Sequence, residues 1–77
     1  MIQKLRIKEV YNDFVESVKL TDEQKKILDM LINKDGIVKI SMEIGVSERT
    51  ISNEIRKLKD LYNDYVYLKM WKAMLLL

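Results

Sequence analysis

The chain has 77 residues, 48% of them hydrophobic and 34% charged, with two glycines and no proline, cysteine or histidine. That length holds one domain with a thin core, and neither disulfides nor the usual zinc ligands are available to brace it, so self-association is the remaining support for so small a fold. Fourteen basic against twelve acidic residues leave a net charge of +2, so a nucleic-acid partner must be argued from where the charges fall, not from their sum.

The same inventory weighs against catalysis. There is no imidazole base and no thiolate, two glycines are too few for a phosphate-cradling loop, and no run of acids has metal-loop spacing, so the chain reads as a non-enzyme that calls for no cofactor and no metal. No apolar run reaches the roughly 18 to 20 residues of a membrane span, and Met1-Ile2-Gln3-Lys4-Leu5-Arg6 lacks the unbroken apolar centre of a signal peptide. The expectation is a cytoplasmic protein with no membrane partner.

From Ile2 to Val18 the apolar residues Ile7, Val10, Tyr11, Phe14 and Val18 recur at three- and four-residue steps, which predicts a first helix with one buried face. Thr21 followed by Gln24 is a capping-box pattern and opens a second helix. In it Ile27, Leu28, Leu31 and Ile32 share a face, and Gly36 is placed to end it near Lys34 in the left-handed conformation. Between Val38 and Ile44, the pair Ile40 and Ile44 suggests a helix of two turns, with Gly45 in a tight turn behind it. The β-branched run Ile37-Val38-Lys39-Ile40 also suits a short strand, as in a winged-helix domain.

Ser47 is the N-cap of the next helix, where Ile51, Ile55, Leu58 and Tyr62 follow one face. Asn63 tolerates the left-handed conformation and Asp64 suits a cap, so a break is expected there before a last segment, Tyr65 to Leu77, that is mostly apolar. The fold expected is all-α: one domain with an N-terminal helix in residues 1–19, a helix-turn-helix core in residues 20–62 and a C-terminal oligomerisation helix in residues 63–77.

A helix-turn-helix needs a small residue inside its first helix, a glycine in the turn and apolar residues on both inner faces. The stretch IVKISMEIGVSERTISNEIR supplies Ser41, Gly45, the turn plug Val46, and Ile40, Ile44, Ile51 and Ile55. At about 100° per residue, Arg49, Asn53, Arg56 and Asp60 stand opposite Ile51, Ile55 and Leu58, with Ser52 on the flank. Arginine can bond guanine through two donors, asparagine can do the same with adenine, and serine suits either a base or a phosphate. Lys57 and Lys59 lie to either side, where phosphates border a helix seated in a groove. Ser47, Glu48 and the amides around Thr50 form the helix N-terminus, a further place for a phosphate, with Glu48 better suited to the helix dipole than to a base. The alternative for these charges is an ordinary solvated face balanced by Glu48, Glu54 and Asp60; the Gly-Val-Ser turn in front of the helix favours double-stranded DNA.

From Thr21 to Tyr62 the chain resembles the DNA-binding domain of the LuxR/GerE regulators and region 4 of bacterial sigma factors. Leu20-Thr21-Asp22-Glu23-Gln24 with Ile27-Leu28 is similar to their opening "L-T-x-x-E-x-x-V-L" segment, and Ile40 to Ile51 is similar to their "I-A-x-x-L-G-I-S-x-x-T-V" core. It departs from the pattern at Ser41, Glu54 and Asn63. The resemblance implies a tri- or tetrahelical fold in which Ser47, Glu48, Arg49, Ser52, Asn53 and Arg56 face DNA, in a small transcription regulator of bacterial or phage type.

The tail from Tyr65 to Leu77 is apolar on more than one face if helical, and the series Leu58, Leu61, Tyr65, Leu68, Lys72, Leu75 is heptad-like but interrupted by Lys72. The expected use is a homodimer or higher homo-oligomer, with docking of the tail into its own domain as the alternative. A dimer is expected to hold two recognition helices one turn of B-DNA apart, roughly 34 Å. Two rival functions keep the same helices: a phage DNA-packaging or assembly protein, and a protein-binding module that docks on RNA polymerase.

Overall fold

Five helices account for most of residues 1–75, which are the residues described by the computed structural model: α1 (Ile2–Leu5), α2 (Lys8–Val18), α3 (Asp22–Ile32), α4 (Ile37–Ile44) and α5 (Glu48–Leu75). Among the described residues there is no strand, so the run Ile37-Val38-Lys39-Ile40 is helical and the winged-helix alternative falls. Leu76 and Leu77 of the expected tail lie outside the described residues.

The first expected helix is two. Leu5 and Phe14 are both fully buried, yet nine positions apart on one straight helix they would stand on opposite faces. The chain resolves the conflict by breaking at Arg6 and Ile7, where Ile7 takes an extended backbone and caps α2. Ile7, expected on the buried stripe, is instead about half exposed at 52%.

The capping box of α3 forms as read: the Gln24 amide donates to the Thr21 hydroxyl and the Thr21 amide to the Gln24 side chain, both at 3.1 Å. Its other end differs from expectation. Lys34 takes the left-handed conformation with φ 66°, and the Lys34 and Asp35 amides close the last turn on the carbonyls of Leu31 and Met30. That is the hydrogen-bond pattern of a Schellman motif, usually built on glycine. Gly36 has an ordinary φ of −78° and serves as the N-cap of α4.

The expected break at Asn63 is also absent, for α5 runs unbroken through Asn63 and Asp64. Tyr62 and Tyr65, three residues apart, both pack edge-on against Phe14 at centroid distances of 5.5 and 5.3 Å. Helical spacing keeps the two rings on one side of α5, whereas a left-handed residue at Asn63 would turn Tyr65 away.

Every helix contributes to one core: Leu5 from α1, Phe14 from α2, Ile27 and Leu28 from α3, Ile40 from α4, and Ile51, Leu58 and Tyr62 from α5. The helices α2, α3 and α4 all pack on α5. With 28 residues α5 outruns them, which stretches the molecule to 47 × 20 × 18 Å. Its last turns, from Tyr67 to Leu75, are exposed. Among the described residues no helix is long and apolar enough to cross a membrane.

Candidate nucleic-acid interface

The junction between α4 and α5 is a three-residue turn, Gly45-Val46-Ser47. Gly45 has φ +82°, a conformation that costs residues with a Cβ about 1 to 2 kcal/mol. Its amide and that of Val46 both donate to the Ser41 carbonyl, at 2.8 and 3.1 Å. Ser41 is itself buried, and its hydroxyl donates to the Val38 carbonyl at 2.8 Å. A small side chain that satisfies its own polar atom is what a close crossing of two helices requires.

Behind the turn, Ile40 and Ile51 are fully buried, while Ile44, Val46 and Ile55 are half-buried and packed against the core. These are the inner faces expected of a helix-turn-helix. Ser47 caps α5 as read: the Thr50 amide donates to its hydroxyl at 3.1 Å, and the two hydroxyls stand 2.9 Å apart. Thr50 is half-buried, so its polar atoms serve the cap. Glu48 is an acid in the first turn of α5, where it suits the helix dipole.

With Ile51, Leu58 and Tyr62 facing the core, the opposite side of α5 carries Arg49, Asn53, Arg56 and Asp60 at about 100° per residue. Ser47, Glu48, Arg49, Ser52, Asn53, Arg56, Lys57 and Lys59 are all exposed. Lys57 pairs with Glu54 at 3.3 Å, which ties down the acid where the chain departs from the LuxR/GerE pattern. Among the described residues Arg49, Arg56 and Lys59 form no ion pair. The face therefore offers two guanidiniums and a carboxamide with their donors uncommitted.

A break at Asn63, as expected from the sequence, would end this face there. Because α5 is continuous, the line through Arg49, Asn53 and Arg56 carries on through Asp60 and Asp64 to Tyr67, Trp71 and Met74. The signal in the sequence was the lack of glycine and proline anywhere between Glu48 and Leu75. Beside that line, an open cleft of about 360 Å³ lies between the end of α2 and α5, floored by Val18, Leu61, Tyr65 and Leu68.

Comparison with known protein families, curated proteins and solved structures gives no match to this chain.

Proposed function

We propose that this chain is a sequence-specific DNA-binding regulator of bacterial or phage type that seats the first three turns of α5 in the major groove. One observation carries the reading: behind a glycine turn, α5 buries Ile51, Leu58 and Tyr62 while Arg49, Asn53 and Arg56 stay exposed on the opposite side. A solvated helix face needs no such turn. Side chains that match guanine and adenine edges, set just inside the N-terminus of the second helix, are what base readout by this motif requires.

Lys57 and Lys59 flank the face as phosphate contacts, and the Ser47 cap with the amides that follow it supplies a further phosphate position. The resemblance to the LuxR/GerE domain assigns DNA contact to the same stretch.

Fluorescence anisotropy on random and selected duplexes at low salt tests the reading. Binding at micromolar concentration or below, with a steep loss on adding salt and a preference among selected sequences, is the expected outcome. Absence of any duplex binding at about 10 μM in low salt, where even non-specific binders associate, refutes it.

A further inference from the structure

On α5 the exposed polar face and the exposed apolar face are one line. Taking about 3.6 residues per turn, Asn53, Asp60, Asp64, Tyr67, Trp71 and Met74 all fall within a narrow stripe on the side away from the core. Up to Asp64 the stripe is polar; beyond it Tyr67, Trp71 and Met74 are 67%, 51% and 65% exposed, with Leu68 and Leu75 beside them at 57% and 70%. We infer that this far half of α5 pairs side by side and in parallel with the same segment of a second copy of the chain, so that the two recognition faces form a fork.

Area argues for the second copy. The five exposed side chains offer about 600 Å² per chain, so two copies have at most about 1,200 Å² of this surface to bury, which reaches the lower bound for a specific, stable interface. Leu68, Trp71 and Leu75 follow one another at steps of three and four, the spacing of a helix seam that is complementary to itself. The cleft floored by Leu61 and Leu68 adjoins the seam and gives a partner's side chains room to enter. The helices α2 to α4 pack against the other side of α5, through Ile51, Leu58 and Tyr62, and so leave the seam clear.

The parallel direction rests on the DNA-binding reading; the pairing itself does not. In an antiparallel pair the two polar faces would point in opposite directions at opposite ends, and one straight duplex could not meet both. In a parallel pair both polar faces stand at the same end of the dimer, one on either side of the two-fold axis, with Asn53 about 27 Å along the helix from Trp71. That is how continuous helices forking from a dimer straddle a major groove. The two half-sites then meet at the axis instead of standing a full turn apart.

The absence of cysteine makes the test clean. Sedimentation equilibrium of the full chain at tens of micromolar should give a dimer, and Trp71→Arg should give a monomer with an unchanged circular dichroism spectrum, because Trp71 lies outside the core. In otherwise intact chains, Leu68→Cys and Leu75→Cys should each oxidise to a disulfide-linked dimer. A monomeric parent, a mass above the dimer, a Trp71→Arg chain that still dimerises, or cross-linking at only one of the two positions overturns the inference. A dimer that cross-links at both positions yet binds no duplex upholds the pairing and removes the DNA-binding reading instead.

Discussion

Phe14 on α2 meets Tyr62 on α5 edge to face, with ring centroids 5.5 Å apart and planes inclined at 75°. Phe14 is fully buried and also touches Tyr65, so it ties the first half of the chain to the long helix that carries the candidate interface. Truncating a buried phenylalanine costs about 3 to 5 kcal/mol, against a total of roughly 4 to 12 kcal/mol for a domain of this size. Phe14→Ala should therefore leave the fold marginal or lost, and Phe14→Leu should retain most of it. Urea unfolding followed by circular dichroism measures both; a loss below about 1 kcal/mol for the alanine variant would mean that the aromatic contact does not hold α5 in place.

Two tyrosines predict how stability changes with pH. Tyr11 donates its hydroxyl to Asp29 and Tyr65 to Asp13. Burial, reinforced by those hydrogen bonds and the carboxylate charges, pushes both phenols up to about 12. The folded chain thus holds these protons more tightly than the unfolded one, where tyrosine ionises near 10. Their contribution is intact below about pH 10 and is lost as the pH rises towards 12. At the acid end the Tyr65 hydroxyl, and after it the Lys69 ammonium, hold the Asp13 carboxyl below its ordinary value of 3.8. That contribution is present above the ordinary value and disappears as pH falls through the lower folded one. Urea midpoints taken across pH should show both limbs, with the alkaline fall reduced in the Tyr11→Phe, Tyr65→Phe double variant. An alkaline limb unchanged by the double substitution would remove this account.

The local devices were legible in the sequence because each is complete within four or five residues. The Thr21 and Gln24 box, the Ser47 cap, the Gly45 turn and the outward position of Arg49, Asn53 and Arg56 all follow from spacing alone. What escaped depends on distant packing. The break at Arg6 arises because Leu5 and Phe14 must reach one core, and the unbroken course through Asn63 keeps Tyr62 and Tyr65 on Phe14. Lys34 carries no mark of a left-handed residue, whereas Gly36 carried one and did not need it.

Those turn positions give substitutions of opposite sign. At Gly45, with φ +82° and nothing within 4 Å of an added Cβ, the cost of Gly45→Ala is purely one of backbone conformation, about 1 to 2 kcal/mol, and each kcal/mol lowers Tm by about 4 to 8 °C in a domain of this size. Gly36 already has the extended backbone of an N-cap and makes no side-chain cap bond. Gly36→Ser therefore adds a capping hydroxyl and removes unfolded-state entropy, raising stability by roughly 0.5 to 1 kcal/mol. Lys34→Gly should also stabilise, by relieving φ 66°. Thermal unfolding distinguishes the signs; a destabilised Gly36→Ser chain would mean that Gly36 is held in a conformation other than the one described.

Base contacts and phosphate contacts on α5 should separate in their response to sequence and to salt. Arg49 and Arg56 stand on the face opposite the core, so Arg49→Ala and Arg56→Ala should leave the fold intact while each costs about 1 to 3 kcal/mol on the preferred duplex and flattens discrimination at one base pair. Lys59 stands nearer the edge of that face, beside the path of a phosphate backbone. Lys59→Ala should weaken every duplex by a similar factor and lower the slope of log affinity against log salt by about one. Anisotropy titrations at three or four salt concentrations, on one selected and one scrambled duplex, read out both effects. If all three substitutions weaken the two duplexes equally, the face is an electrostatic platform and sequence is not read by these side chains; if none of them changes binding, the duplex lies elsewhere on the molecule.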